Sequence, residues 1–362
     1  MKKAEAVIIG GGPSGLTAAK TLLASGVKVT LIDRNRTLGG QLIKQTHKFF
    51  GSENEHASKR GIDIQKLLLD ELYSYEASLT VLSETTVVGL YRDKVIACLK
   101  GETFFKIQTG IIIVATGASE KSIPFENNDL PGVYAAGAVQ TLMNEYGVKP
   151  GNDVLMVGSG NIGLIVTYQL MQAGVRVKAV LEAAPRISGY LVHASKIRRL
   201  FVPILTKTSI KRAEGKDIVN GAVIWDLNED WQGIEGTERT IKVDTICISV
   251  GLAPLVELLE QIGARVEYIR ELGGNVPVID GHYETSIEGV YACGDAVGIE
   301  EASAAMIEGE ITGLSALKRL GIKGPELEVK QKRLHAKLEA LRNGPHGTKV
   351  KAGYEKRRVM HA

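Results

Sequence analysis

The tightest constraint on this chain is a glycine pattern that occurs twice. Ala6-Val7-Ile8-Ile9 is a short apolar run ending in Gly10-Gly11-Gly12-Pro13-Ser14-Gly15. A helix-forming stretch follows from Leu16 to Ala24, with Gly26 as its C-terminal stop, and Val27–Ile32 then reads as a buried strand before Asp33. Strand, glycine turn, helix, strand, acid is the βαβ unit that holds a dinucleotide. Gly10 permits the tight turn, Gly12 lets phosphates approach the backbone, and Gly15 lets helix and strand pack closely. The phosphates meet free N–H groups at a helix N-terminus, and Asp33 accepts from a ribose hydroxyl.

The second copy begins at Val154–Val157 and runs through Gly158-Ser159-Gly160-Asn161-Ile162-Gly163, a helix over Leu164–Gln172, Gly174 and a strand over Val175–Leu181. Glycines 10, 12, 15 and 26 are answered at a fixed offset by glycines 158, 160, 163 and 174, an internal repeat that implies two bound nucleotides. This copy ends in Glu182, one residue later than Asp33 does in the first. An acid there favours a free ribose 2′-hydroxyl, hence NAD(H) over NADP, while Arg186 just beyond could instead meet a 2′-phosphate.

A length of 362 residues suggests two domains or three. Lys and Arg number 44 against 41 Asp and Glu, so no global charge points to nucleic acid. The excess is local: from Pro325 to Ala362 there are ten Lys/Arg and four Glu. Cys98, Cys247 and Cys293 lie far apart and form no C-x-x-C pair, which argues against a disulfide framework or a metal knuckle, and no metal site is expected. The apolar run after Met1-Lys2-Lys3 leads straight into the glycine turn and reads as a first strand rather than a signal peptide. No apolar run reaches membrane-spanning length, and the chain reads as cytoplasmic.

Between the repeats, Ile62–Tyr75 has helical spacing, 79–108 reads as short antiparallel strands, and Ile111–Val114 is a fully apolar strand stopped by Ala115-Thr116-Gly117. A helix is expected near Gln140–Asn144. Asp244–Val250 ends at Gly251, two strands follow at Val276–Asp280 and Val290–Asp295, and a helix opens near Glu300-Glu301-Ala302-Ser303 and runs to Leu320. The basic tail carries an amphipathic stretch, Val329–Leu341, with Leu334, Leu338 and Leu341 on one face. It reads as a solvated end or as a docking helix for a partner.

In this order, the Gly-Gly-Gly-Pro-Ser-Gly turn, the Ala115-Thr116-Gly117 stop, the inserted second glycine motif and Cys293-Gly294-Asp295 resemble the two-dinucleotide-binding flavoproteins of the thioredoxin reductase and glutathione reductase superfamily, over about residues 4–320. The resemblance implies an α/β fold of two Rossmann-like, three-layer ββα domains, the NAD domain inserted in a discontinuous FAD domain. The FAD domain would comprise 1–118 and 253–320, the NAD(P) domain 119–252, and the basic tail 321–362. FAD would be held by Gly10, Gly12, Pro13, Ser14, Gly15, Asp33, Arg34, Gly40, Gln41, Ala115, Thr116, Gly117, Gly294, Asp295, Glu301, Ala302 and Ser303. The nicotinamide dinucleotide would be held by Gly158, Gly160, Asn161, Ile162, Gly163, Glu182 and Gly251. The helix near Glu300 would aim its N-terminus at the flavin pyrimidine edge, where reduced flavin gathers negative charge. His47 and Lys48 are candidates for tuning the flavin or receiving a proton. The departure from the superfamily is the lack of a cysteine pair beside the flavin. Cys293 reads as a buried thiol, so disulfide reduction is not expected.

A narrower likeness rests on Gly39-Gly40-Gln41 with His47-Lys48-Phe49-Phe50-Gly51, on Glu182–Arg186 and on Gly298–Ser303. These are similar to the cysteine-free FAD/NAD subunits of multi-subunit amine, amino-acid and opine dehydrogenases, of the sarcosine oxidase, proline dehydrogenase and hydrogen cyanide synthase types. Related chains are encoded beside glycerol-3-phosphate dehydrogenase-like proteins. The likeness implies an FAD-dependent NAD(P)H oxidoreductase that transfers hydride between nicotinamide and flavin, works with a partner dehydrogenase subunit, and forms a hetero- or homo-oligomer without nucleic acid or a membrane span. Such transfer asks for orientation and exclusion of water more than for a catalytic triad. Two rival readings are a stand-alone NADH-dependent diaphorase or ferredoxin or quinone reductase, and a non-catalytic nucleotide-binding scaffold.

Overall fold

In the computed structural model the described residues are 1–49, 56–344 and 347–359, with side chains described to Arg357. Phe50 and Gly51 of the loop motif, and Pro345-His346 of the tail, lie outside the described residues. The chain forms two units: Met1–Ile43, Lys48–Ser119 and Leu252–Ala362 make unit 1, while Lys44–His47 and Glu120–Gly251 make unit 2.

Unit 1 opens with β1 (Ala6–Ile9), α1 (Pro13–Leu23), β2 (Val29–Ile32), α2 (Gly61–Tyr73) and β3 (Leu79–Leu82). An antiparallel meander follows, β4 (Thr86–Leu90), β5 (Val95–Lys100) and β6 (Thr103–Gln108), and then β7 (Ile111–Val114). Unit 2 repeats the plan with β8 (Val133–Ala135), α3 (Ala136–Asn144), β9 (Asp153–Val157), α4 (Asn161–Gln172), β10 (Arg176–Glu182), α5 (Leu191–Arg199) and β11 (Ile204–Thr206). It adds its own meander, β12 (Thr208–Gly215), β13 (Val219–Asp226) and β14 (Arg239–Ile241), and closes with β15 (Thr245–Ile248). The chain then returns to unit 1 for β16 (Val290–Ala292), α6 (Ala302–Arg319), α7 (Pro325–Arg342) and α8 (Thr348–Val359).

The two central sheets are parallel, five-stranded and alike in order: β16-β7-β1-β2-β3 in unit 1 and β8-β15-β9-β10-β11 in unit 2. The fold is therefore two Rossmann-like α/β bodies, each a parallel sheet with helices and a β-meander. Strands buried on both faces explain the uninterrupted apolar runs at 6–9, 111–114 and 154–157. The edge strand comes from opposite ends of the two bodies, since β8 precedes the rest of its sheet and β16 follows the rest of its own.

Two expectations are corrected. Leu79–Leu82 is not part of the antiparallel run; it pairs in parallel with Val29–Ile32 at the sheet edge. An edge strand is covered unevenly and so carries the same alternation as a meander strand. The basic tail is not a loose end, and the leucine face expected to dock a partner is turned onto unit 1. It folds into α7 and α8 on unit 1, where Leu334 and Leu338 join the apolar core and Leu341 packs at its margin. Burying two leucines supplies roughly 1.5–3 kcal/mol each, which explains why so charged a sequence is ordered. Val350 and Tyr354 of α8 pack with Ile269, Leu272 and Val276.

α1 and α6 run in close contact because α6 carries glycines at the crossing. A Cβ at Gly313 would lie 2.7 Å from Thr21 Cβ, and one at Gly309 would overlap the Ser14 carbonyl oxygen. Thr17 Oγ1 donates to the Met306 carbonyl at 2.8 Å across the same seam. Among the described residues no helix is long and apolar enough to cross a membrane.

Candidate functional site

In the first glycine turn, two of the three glycines are demanded by the protein itself. Gly10 has φ +108°, and a Cβ on it would overlap the Ala115 carbonyl. A Cβ on Gly15 would overlap the Gly10 carbonyl. Gly12 is different: its backbone is extended, and the nearest atom to a Cβ there is Gly40 Cα at 3.9 Å. No other atom of the described residues comes within 4 Å of that point, its two chain neighbours aside. The space opens at the N-terminus of α1, a helix with Gly12 as N-cap, no side-chain cap and no acid in its first turn. Its first N–H groups thus face an open, electropositive cradle suited to a pyrophosphate.

Asp33 closes the turn from the end of β2. Its Oδ2 accepts from Gly11 N–H and its Oδ1 from Asn35 N–H, both at 2.7 Å, which fixes a buried carboxylate beside the cradle with lone pairs left for a ribose. Gly39 N–H donates to the Gly11 carbonyl at 2.7 Å, bringing Gly40 against Gly12, whereas Gln41 and Arg34 are exposed. Ala115 is buried against Gly10, and Thr116 Oγ1 donates to the Leu255 carbonyl at 2.9 Å just before Gly117. Gly294 abuts Ser14 Oγ, and Asp295 Oδ1 accepts from Glu300 N–H at 3.4 Å. Burial pushes the Asp295 carboxyl up to about 7. Glu301 is the N-cap of α6, and Ala302 and Ser303 form its first turn.

The second turn repeats this logic within unit 2. Gly158 has φ +110° and a Cβ on it would overlap the Ser249 carbonyl; one on Gly163 would overlap the Gly158 carbonyl; one on Gly160 would meet nothing within 4 Å. Gly158 N–H donates to Leu181 O at 2.8 Å, as Gly10 N–H does to Ile32 O. The one-residue slip of Glu182 is absorbed by a bulge. Val154 faces Val177 while Leu155 faces Ala179, so Lys178 is the extra residue and Glu182 lies at the strand end where Asp33 lies in β2.

Glu182 is buried and well held: Ser159 Oγ donates to its Oε2, Ser188 Oγ does so at 2.8 Å, and Ala184 N–H donates to its Oε1 at 2.9 Å. The loop after it folds back on the turn. Gly189 N–H donates to the Ser159 carbonyl at 2.9 Å and Tyr190 N–H to Asn161 Oδ1 at 2.8 Å. Ile162 and Arg186 are exposed, and Gly251 has φ +117°. Sequence reasoning does not single out Ser159, Ser188 and Gly189, although Ser159 occupies the variable slot of the glycine motif.

His47 and Lys48, adjacent in sequence, fall in different units. Thr46 accepts from Gln169 Nε2 at 2.7 Å, tying this segment to α4. Burial, then the nearby His193 and Lys196, lowers His47 to about 4, so its imidazole is neutral near pH 7. Lys48 is exposed. The three thiols are free and buried, and burial pushes Cys98 up to about 11, Cys293 up to about 12 and Cys247 higher still. No redox-active disulfide is formed.

The chain matches the pyridine nucleotide-disulphide oxidoreductase family over residues 4–309. It is 27% identical over 344 residues to the HcnB component of the hydrogen cyanide synthase of Pseudomonas protegens, covering 90% of this chain and 73% of that one. It is 28% identical to one of the opine oxidase subunits of Agrobacterium tumefaciens, covering 87% of this chain and 65% of that one. Among solved structures, L-proline dehydrogenase from P. horikoshii superposes with a TM-score of 0.71 at 25% identity, over 91% of this chain and 59% of that one. Thioredoxin reductase from T. acidophilum shares the fold, with a TM-score of 0.72 at 21% identity over 88% of this chain and 99% of that one.

Proposed function

The chain belongs to the pyridine nucleotide-disulphide oxidoreductase family, an FAD-dependent oxidoreductase without a redox-active disulfide, and from that premise we propose that it is the electron-handling component of a multi-subunit dehydrogenase. Unit 1 is assigned to FAD and unit 2 to a nicotinamide dinucleotide. When bound, the pair supplies hydride transfer between nicotinamide and flavin.

The observation that carries this reading is the doubled cradle. Gly12 and Gly160 each leave a space that the protein does not use, at an uncapped helix N-terminus with a strand-end acid beside it. The N–H groups of α1 bind one pyrophosphate and those of α4 the other, while Asp33 and Glu182 orient the two adenosine riboses. Gly40 and Gln41, Ala115–Gly117, Gly294–Asp295 and the first turn of α6 are assigned to FAD; Asn161, Ile162 and Gly251 are assigned to the nicotinamide dinucleotide. Glu182 is a buried acid where a 2′-phosphate would arrive, which favours NAD(H) over NADP(H). His47, neutral by burial, can tune its surroundings only as a dipole and hydrogen-bonding group.

The partner polypeptide is supported by relatives that are themselves named as subunits, of hydrogen cyanide synthase, opine oxidase and sarcosine oxidase. Its substrate would then be an amine, an amino acid or a glycerol-3-phosphate-like compound. Three free, buried thiols suit a reducing compartment such as the cytoplasm. Anaerobic titration of the purified flavoprotein with NADH tests the assignment: bleaching of the flavin absorbance is expected, and an unbleached spectrum would refute a direct NADH role. Copurification of a second dehydrogenase polypeptide from the native host is expected, and a fully active lone chain would replace the multi-subunit reading with a stand-alone diaphorase.

A further inference from the structure

Glu308 lies on α6, is 1% exposed, and is hydrogen-bonded through both carboxylate oxygens. Gly294 N–H donates to Oε2 at 2.8 Å. Oε1 accepts from the Tyr283 hydroxyl at 3.0 Å, the Tyr354 hydroxyl at 2.9 Å and Arg342 Nη2 at 2.6 Å. Arg342 closes α7, and its Nε also donates to the two carboxylate oxygens of Glu300 at 3.0 and 3.1 Å. Its guanidinium lies 4.0 Å from the centre of the Tyr354 ring, which Arg357 also approaches, at 4.4 Å.

The two acids gripped by this one guanidinium are the two that hold the Gly294–Asp295 turn. Glu308 takes the Gly294 N–H, and Glu300 gives its own N–H to Asp295 Oδ1 at 3.4 Å. Gly294 in turn abuts Ser14 in the first turn of α1, next to the open space at Gly12. A continuous series of contacts therefore joins the last turn of α7 to the rim of the first cradle. Stability alone is a poor reason for such a network, because desolvating a guanidinium and two carboxylates costs several kcal/mol per ion and an apolar replacement often does as well. Fixed placement of the turn is what the bidentate geometry supplies.

We propose that Arg342 is a positioning residue for the flavin nucleotide: the C-terminal helices clamp the Gly294–Asp295 turn against the first cradle through Glu300 and Glu308, so that the basic tail is a working part of the FAD site. This rests on the assignment of unit 1 to FAD. The test uses the full-length chain, deflavinated and reconstituted, with FAD dissociation constant, flavin midpoint potential and melting temperature of the apoprotein as readouts. Arg342→Lys keeps a charge but replaces the planar fork with one ammonium and so loses the Nε hydrogen bonds to Glu300, and Glu300→Ala cuts one arm while leaving the Arg342–Glu308 pair balanced. Leu338→Ala is the control, since it removes a buried apolar α7 side chain and none of the hydrogen-bonding groups of the network.

Both clamp variants are expected to bind FAD at least tenfold more weakly and to shift the midpoint potential. The control should melt earlier yet bind FAD within twofold of wild type. FAD binding and potential unchanged in the clamp variants, or an equal loss in Leu338→Ala, would overturn the inference. If Arg342→Lys does not fold, Glu300→Ala decides by the same criteria. A wild-type chain that takes up no FAD would overturn the reading of unit 1 and this inference with it, whereas normal uptake with unaffected variants removes only the role of Arg342.

Discussion

The open space at Gly12 leads to an expectation that separates binding from folding. Gly12 has φ −79° and ψ −175°, a conformation alanine adopts without strain, and a Cβ there meets nothing nearer than Gly40 Cα at 3.9 Å. Gly12→Ala should therefore leave the apoprotein as stable as wild type, or more stable by about 0.4–1 kcal/mol through the reduced entropy of the unfolded chain. For a body of this size that is a rise of roughly 1–4 °C in melting temperature. The same methyl would sit where a phosphate must approach the backbone. Losing two charge-assisted hydrogen bonds from the helix N-terminus costs about 3–6 kcal/mol, or roughly 10²- to 10⁴-fold in FAD affinity. Gly15→Ala is the contrast, because its Cβ would overlap the Gly10 carbonyl and should destabilise the fold by about 1–3 kcal/mol or more. Fluorescence titration of the apoprotein with FAD, beside thermal melting of the same samples, reads both effects. FAD bound at wild-type strength by Gly12→Ala, or lost only together with the fold, would refute the reasoning. Gly160→Ala is the matching test in unit 2 and should weaken NADH while sparing FAD.

Glu182→Ala should weaken NADH more than NADPH and narrow the preference about tenfold, or about 1.4 kcal/mol; equal changes in the two dissociation constants would show that Glu182 does not read the ribose. Asp295 titrates near 7 in the folded chain and near 4 when unfolded, so its contribution to stability is full below about pH 4 and lost as the pH rises toward 7. Asp295→Asn should accordingly flatten the fall in melting temperature of the apoprotein over that interval, and curves that remain parallel would rule this out. The three buried thiols should resist a disulfide reagent until the chain is denatured, and Cys293→Ala should keep NADH-driven bleaching of the flavin; rapid labelling of the native protein or loss of bleaching would restore a thiol relay to the account.

The parallel sheets and both glycine turns are legible in the sequence because apolar run, glycine turn, helix, strand and acid follow one another in the same order twice. The position of Glu182 is half legible. The extra residue shows in the count, but a bulge at Lys178 is a choice of hydrogen-bond register, and register leaves no mark in composition. Leu79–Leu82 misleads because an edge strand and a meander strand expose one side alike. The tail misleads because two buried leucines and Arg342 are diluted by nine other basic residues, and partners such as Glu308 lie far off in sequence. A lone glutamate in the apolar run Ala304-Ala305-Met306-Ile307-Glu308 is the available signal. His47 stands next to Lys48 in sequence, and proximity along the chain says nothing about which body a side chain joins.

The opposite placement of the two edge strands has a consequence for synthesis. During translation, unit 2 has all of its strands once residue 251 has emerged, and its central sheet can close while the ribosome is still at work. Unit 1 by then has β1, β2, β3 and β7 but lacks β16, and α1 lacks the glycine-bearing helix against which it packs. The segment before the insert must therefore wait, with one sheet margin and one helix face uncovered, until Val290–Ala292 and Ala302–Arg319 have followed. The inserted body is the natural first folder, and the other is completed by segments on either side of it in the chain.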